Sequence, residues 1–107
     1  MTKPGPEAVV VRACRQYLTA RGHLVTRLST GSFSIGTGAS KRHVRSGSVG
    51  WADLCGITDK GQGLFVECKA AKGVQSEFQR AFQDEVEKRG GLYVLARSVD
   101  DLIKAGL

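Results

Sequence analysis

The sequence contains no long apolar segment. Among its 107 residues there is no run of about 18 apolar residues, which excludes a transmembrane helix. No apolar stretch follows Met1 that could act as a secretory signal, so we expect a cytoplasmic protein without membrane association. The hydrophobic fraction of 41% is typical of a globular chain. This length predicts one compact domain over residues 1–107.

Cysteine is also scarce. The three cysteines, Cys14, Cys55 and Cys68, are an odd number and form no Cys-x-x-Cys pair. The two histidines, His23 and His43, are not spaced as zinc ligands beside them. These spacings argue against a disulfide framework and a structural zinc site, and they predict free, buried thiols.

The first half of the chain is nearly devoid of acidic residues. Residues 1–50 hold eight Lys or Arg and one acid, Glu7, for a net charge of +7. Residues 51–107 hold eight Lys or Arg and nine acids, for a net charge of −1. Such an asymmetry favours a polyanionic partner such as nucleic acid. Taken alone, it is equally compatible with a basic protein that has no such partner.

Apolar spacing predicts the elements of this cationic half. Between residues 7 and 21 apolar side chains recur at three- and four-residue steps, which predicts a helix that begins after Pro6 and ends before Gly22. Its other face carries arginines. Residues 23–28 then have the composition of a short strand.

Residues 29–50 are rich in glycine and serine. They hold five Gly, six Ser and no acid, which predicts a flexible basic loop. A loop this long is uncommon in a small domain unless it is functional or partly paired as a hairpin. Phe33 and Ile35 alternate with serines and are candidates for such an edge strand. The cations of this segment are candidate contacts for a phosphate backbone: Lys41, Arg42, His43 and Arg45.

The second half predicts two strands, a helix, a strand and a short helix. Strands are expected at 52–58, 64–69 and 92–96, and a final helix at 100–105. Ser76 and Gln79 have the spacing of a capping box, and Phe78 and Phe82 continue that helix with an apolar face that we expect to be core. The order α-β-β-β-α-β-α predicts an α/β fold with a mixed β-sheet flanked by helices.

Three charged residues stand out in this part of the chain. Glu67 and Lys69 project from the same face of a strand because side chains alternate. An ordinary salt-bridged pair explains these two residues taken alone. Asp53, however, lies on the preceding strand, and a hairpin would bring its carboxylate beside Glu67. Two converging carboxylates repel each other unless a cation lies between them, and oxygen ligands suit Mg²⁺.

This arrangement resembles a known nuclease family. Asp53, then Glu67-x-Lys69 on the next strand, then Gln79 in the following helix resemble the PD-(D/E)xK nuclease superfamily, and within it the VRR-NUC domains related to archaeal Holliday-junction resolvases. Ala52 replaces the proline that often precedes the aspartate. The similar stretches extend through most of the chain: Glu7, 22–27, 29–31, 50–54, 65–69, 76–79 and 90–94.

The resemblance implies a restriction-endonuclease-like fold and a set of residue roles. Asp53 and Glu67 would bind the metal, with the backbone carbonyl of Cys68 as a further ligand. Lys69 would act on the attacking water. Glu7 would reach the metal through water, although it could equally be a helix-start acid placed by the helix dipole. Gln79 would orient the site, although the capping box explains it equally well.

The resemblance also implies a cofactor and partners. We expect a Mg²⁺-dependent DNA endonuclease, with Mn²⁺ able to substitute, acting on branched DNA such as a Holliday junction as a homodimer. A nicking or flap nuclease, or the nuclease part of a larger repair or restriction assembly, is the first alternative. A catalytically silent DNA-binding module is the second. The expected DNA contacts are the four loop cations together with Arg27 and Lys72.

Overall fold

The residues that the structure describes form three helices and six strands. The computed structural model describes residues 5–28, 32–35, 42–45 and 50–107. The elements are, in chain order, α1 (Pro6–Ala20), β1 (Leu24–Arg27), β2 (Ser32–Ile35), β3 (Arg42–Arg45), β4 (Leu54–Ile57), β5 (Gly63–Cys68), α2 (Glu77–Lys88), β6 (Leu92–Ala96) and α3 (Val99–Lys104). None of the described helices is both long and apolar enough to cross a membrane.

The main sheet has four strands in the order β1-β4-β5-β6. β4 pairs antiparallel with both β1 and β5, while β6 lies parallel to β5. Helix α2 supplies the crossover that a parallel connection requires. With the flanking helices, this mixed sheet follows the predicted order α-β-β-β-α-β-α. The predicted restriction-endonuclease-like fold class is thereby confirmed.

The two faces of the sheet bury different sets of side chains. Alternation along β5 places Leu64, Val66 and Cys68 on one face, where they pack against Val11, Cys14 and Leu18 of α1 and against α3. Phe65 lies on the opposite face, beside Phe82, Val86 and Tyr93 in the layer formed with α2. Cys14 and Cys68 are buried and all three cysteines are free, as the sequence predicts.

One aromatic residue lies elsewhere than expected. Phe78 was predicted to belong to the core, but its side chain is 66% exposed. It occupies the first turn of α2, whereas the contacts of α2 with the sheet are made one and two turns later by Phe82 and Val86. The backbone of Phe78 is instead closely approached by Gly50, where a Cβ atom would lie 2.5 Å from the Phe78 carbonyl oxygen.

Part of the Gly/Ser-rich segment pairs as a hairpin. β2 and β3 are antiparallel, with Phe33 opposite Val44 and Ile35 opposite Arg42. They form a two-stranded sheet separate from the main one. The candidate edge strand at Phe33 and Ile35 therefore exists, and its partner is the stretch that carries three of the four predicted loop cations. The fourth, Lys41, lies outside the described residues.

A glycine permits the close approach of β1 to β4. Gly56 lies opposite Val25, and a Cβ atom at this position would overlap the carbonyl oxygen of Leu24. Gly63 in β5 differs, since a Cβ there would meet only Phe65 Cε2 at an ordinary 3.7 Å. The pairing of β1 therefore depends on the missing side chain at position 56.

We expect Gly56→Ala to lower the free energy of unfolding by about 2–4 kcal/mol, because β1 must move away from β4. The matched substitution Gly63→Ala is expected to change it by less than about 1 kcal/mol, since the added methyl group fits. Urea unfolding followed by circular dichroism measures both values. Equal values for the two variants would contradict the proposed close contact.

Candidate active site

Three carboxylates from separate parts of the chain come together at one end of the sheet. Glu7 lies in the first turn of α1, Asp53 immediately precedes β4, and Glu67 is near the end of β5. One carboxylate oxygen from each lies within 4.8 Å of the others. Glu7 is exposed and Asp53 is half-buried, while Glu67 is only 2% exposed. The cluster therefore has one buried end and one end open to solvent.

The register of β4 and β5 accounts for the meeting of the two central acids. Leu54 lies opposite Val66, so the next position outward places Asp53 beside Glu67 on the same face. The backbone N–H of Cys68 donates a 2.8 Å hydrogen bond to Asp53 Oδ2. This bond fixes the Asp53 carboxylate against the end of β5, and it leaves the second Asp53 oxygen for another partner.

The carboxyl group of Glu67 is only partly compensated by its surroundings. Its Oε2 atom is buried and has no hydrogen-bond partner. Burial raises the pKa of Glu67 to about 9, with further upward contributions from hydrogen bonding to Asp53 and from the Asp53 charge, whereas the Lys69 charge lowers it. An orphaned carboxyl oxygen of this kind is costly unless a cation or a proton compensates it.

Lys69 follows β5 directly. Its backbone N–H donates to the Ala96 carbonyl at 3.0 Å, which extends the contact with β6 by one residue. The side chain is half-buried, and its charge is close enough to act on the pKa of Glu67. Gly73 packs against it, since a Cβ there would lie 3.2 Å from both Lys69 Cβ and Cδ.

Arg97 holds the turn that follows Lys69. Its Nη1 atom donates to the carbonyls of Ala70 at 2.7 Å and Gly73 at 2.8 Å, with a weaker contact to Ala71 at 3.4 Å. The guanidinium group thereby keeps Gly73 against the Lys69 side chain. No pattern in the sequence pointed to Arg97, because its partners are backbone carbonyls 24–27 residues away.

Gln79 lies at the start of α2, where its side chain has a structural contact. Its Oε1 accepts from the Ser76 N–H at 2.8 Å, and its own N–H donates to Ser76 Oγ at 3.1 Å. This reciprocal pair is the predicted capping box. Among the described contacts, none joins the Gln79 side chain to the three acids.

The predicted DNA-contacting cations lie in three places. Arg42, His43 and Arg45 belong to β3. Arg27 ends β1 and is exposed, and the following residue, Leu28, donates its N–H to the Asp53 carbonyl at 2.8 Å. Arg27 therefore precedes a residue whose backbone is bonded to that of Asp53. Lys72 is exposed in the turn held by Arg97.

Comparison with known proteins assigns the chain to a family. The family model described as the VRR-NUC domain matches residues 11–100. The chain belongs to the VRR-NUC family. It is a nuclease domain of the PD-(D/E)xK type, for which DNA is the implied substrate. No curated protein and no solved structure matches it significantly.

The carboxylates of this VRR-NUC domain fit a divalent cation. The donor set consists of oxygen atoms, which suits a hard ion such as Mg²⁺ or Mn²⁺. Glu67 Oε2 is buried without a hydrogen-bond partner, and a bound cation would compensate its charge. The matched residues include Asp53, Glu67 and Lys69, whereas Glu7 precedes them.

The raised pKa of Glu67 makes the metal-free protein less stable as the pH increases. The unfolded chain releases this proton near the ordinary glutamate pKa of 4.5, while the folded chain retains it up to about pH 9. Stability is therefore lost between these values, by at most about 1.4 kcal/mol per pH unit. Glu67→Gln removes this loss, so its stability relative to the unmutated protein is expected to rise from pH 5 to pH 9.

Urea unfolding in the presence of a chelator measures this difference. Glu85→Gln is the matched control, because Glu85 is exposed and ion pairing with Arg89 and Lys88 lowers its pKa. Any contribution of ionised Glu85 to stability is lost only as the pH falls below the ordinary pKa of glutamate, which lies outside the interval from pH 5 to pH 9. Parallel stability curves for the unmutated protein and Glu67→Gln would refute the assignment.

Proposed function

We propose that this VRR-NUC domain is a Mg²⁺-dependent DNA endonuclease that hydrolyses phosphodiester bonds in structured DNA. The observation that carries the proposal is the meeting of Glu7, Asp53 and Glu67 within 4.8 Å, together with a buried carboxyl oxygen of Glu67 that has no partner. A silent DNA-binding module would have no need for such a cluster, which destabilises the fold without a cation. Family membership supports the same chemistry.

In this proposal the acids hold the ion. Asp53 and Glu67 are direct ligands, the Cys68 carbonyl is a third, and Glu7 contributes through a water molecule. A bound divalent cation supplies positive charge that acidifies water and neutralises charge on the phosphate. The hydrogen bond from the Cys68 N–H orients Asp53, so only small rearrangement is needed on binding.

Lys69 acts on the water and the phosphate. Strand alternation predicts its side chain on the same side as Glu67, where the ammonium could hold the attacking water by a hydrogen bond and stabilise negative charge on the phosphate oxygens. Arg97 bonds to the Gly73 carbonyl, and Gly73 packs against the Lys69 side chain and limits its movement. Gln79 is proposed to position the first turn of α2 next to the site, through its bond with Ser76.

We infer that the preferred substrate is a four-way junction, cut to leave 5′-phosphate and 3′-hydroxyl ends. This inference depends on the resemblance to Holliday-junction resolvases. Symmetric cutting of a junction requires two active sites, and the chain offers one, so we propose a homodimer with two-fold symmetry. Lys41, Arg42, His43, Arg45, Arg27 and Lys72 are proposed to contact the DNA backbone.

Nicking of supercoiled plasmid tests the proposed site. The protein is expected to nick with Mg²⁺ or Mn²⁺ and to be inactive with EDTA. Asp53→Ala is expected to reduce the rate at least about a hundredfold, because a metal ligand is lost. Asp84→Ala, which removes an exposed acid from α2, is the control and is expected to leave the rate unchanged.

Lys69→Ala extends the same experiment. It is expected to abolish nicking while leaving Mn²⁺ affinity, measured by calorimetry, close to that of the unmutated protein. Undiminished nicking by Asp53→Ala would show that the acids at this end of the sheet are not the active site. Loss of metal affinity in Lys69→Ala would instead give the lysine a structural role.

Cleavage mapping on synthetic DNA tests the proposed substrate. Four-way junctions are expected to receive paired incisions at symmetric positions, faster than flaps or linear duplexes of the same sequence. Light scattering during size-exclusion chromatography is expected to give a dimer mass. Single unpaired incisions, or faster cutting of flaps, would contradict junction resolution and favour a nicking or flap nuclease.

A further inference from the structure

A cationic groove lies between α1 and β1, outside the acidic cluster. Its volume is 570 Å³. It is lined by four residues that can contact an anion and two small or apolar ones: Arg12, Arg15, Gln16 and Arg27, with Ala8 and Val9. The sequence suggested only that the polar face of α1 carries arginines, and gave no sign that this face meets Arg27.

None of the three arginines of the groove forms a salt bridge with another described residue. Arg12, Arg15 and Arg27 are exposed, and within the described part of the chain no carboxylate lies within 4.0 Å of their guanidinium groups. The sequence accounts for this, because Glu7 is the only acid among residues 1–50. The groove therefore carries a local charge of +3 that the described residues do not neutralise.

Three cations elsewhere in the described chain form salt bridges. Lys88 lies 3.5 Å from Glu85, and Arg89 pairs with the same carboxylate. Lys104 lies 3.4 Å from Asp100. Each of these pairs forms within a single helix or at its end, which is the common arrangement for solvated surface charges. Other cations of the described chain, such as Lys60 and Arg80, also have no salt bridge, so the groove is distinguished by the grouping of three arginines along one surface.

The groove adjoins the proposed active site in sequence along both of its walls. On α1, Ala8 directly follows Glu7. On β1, Arg27 is followed by Leu28, whose N–H donates to the Asp53 carbonyl. Along the helix axis, Arg12 and Arg15 lie about 7.5 Å and about 12 Å beyond Glu7. A DNA strand rises about 3.4 Å per nucleotide, so these distances correspond to phosphates a few nucleotides from the cleaved bond.

The chemistry of the groove suits phosphate diesters. Guanidinium groups present planar pairs of donors that match phosphate oxygens and remain charged at any physiological pH. The Gln16 amide can also donate to phosphate. The neighbouring carboxylates repel DNA, and an adjoining cationic groove offsets that repulsion.

We propose that the groove formed by Arg12, Arg15, Gln16 and Arg27 binds the phosphate backbone of the DNA strand that enters the acidic cluster. The proposal rests on the proposed nuclease function and adds to it a binding site formed by α1 and β1. Arg12 and Arg15 form one wall, and Arg27 forms the other.

DNA binding without catalysis tests the groove. The full chain is titrated against a fluorescein-labelled 20-base-pair duplex in EDTA at several salt concentrations, and anisotropy gives Kd. For Arg12→Ala/Arg15→Ala, Kd is expected to rise about tenfold. The slope of log K against log salt is expected to become shallower by about 1.8, the value for two lost phosphate contacts. Arg27→Ala, from the other wall, is expected to reduce the slope by about 0.9.

A charge-matched control separates the groove from net charge. Lys88→Ala/Lys104→Ala also removes two exposed helix cations, and it is expected to change Kd less than twofold. Arg12→Lys/Arg15→Lys retains the charge and is expected to recover most of the slope. Thermal unfolding shows whether each variant is folded. If the Arg12→Ala/Arg15→Ala variant is not folded, Arg27→Ala tests the groove alone.

The outcomes distinguish the groove from the catalytic proposal. If both double-alanine variants weaken binding equally, or neither does, the groove is not the binding site. If the groove variants behave as expected while the unmutated protein cuts no DNA with Mg²⁺, the groove is supported and the nuclease proposal fails. If the protein cuts DNA and the groove variants bind DNA normally, the nuclease proposal is supported and the groove proposal fails.

Discussion

The pairing of β4 with β5 is the constraint on which the rest of the site depends. It sets Leu54 opposite Val66 and so brings Asp53 beside Glu67, and the Cys68 N–H then fixes the Asp53 carboxylate. A shift of one residue would turn every side chain of β5 to the other face, which would move Val66 into the layer beside α2 and turn Glu67 away from Asp53. The hydrophobic alternation of β5 therefore specifies the core and the acidic pair together.

Burial of Glu67 is energetically unfavourable in the metal-free fold. Glu67 lies at the end of a strand whose inward residues are completely buried, and its Oε2 has no partner there. Raising the pKa to about 9 is how the metal-free protein limits the resulting penalty. A domain of this size has a modest stability margin, so such a residue is retained only where its charge is used. The burial of the Glu67 carboxyl group is therefore best explained by cation binding.

Local signals in the sequence predicted the elements well, whereas long-range contacts were beyond them. The strand Leu92–Ala96 was predicted with its observed bounds, and the capping box at Ser76 was found because both partners lie within one turn. The chain gave no indication of the Arg97 contacts or of the meeting of Arg27 with α1, since each joins residues that are distant in sequence. Phe78 was misassigned because helical spacing identifies an apolar face but not how far the sheet extends beneath it.

Helix α1 connects the two charged features of the molecule. Val11, Cys14 and Leu18 anchor one face of the helix to the sheet. The Tyr17 hydroxyl also donates to the Leu107 carbonyl at 2.9 Å, which fixes the helix relative to the C-terminal residues.

Because the helix is rigid, the carboxylate at its first turn and the arginines of its outer face keep a fixed spacing. A DNA strand bound by Arg12 and Arg15 would therefore lie at a fixed distance from the acidic cluster of Glu7, Asp53 and Glu67. In a domain with few elements, one helix can thus align the phosphate backbone with the acids that would act on it.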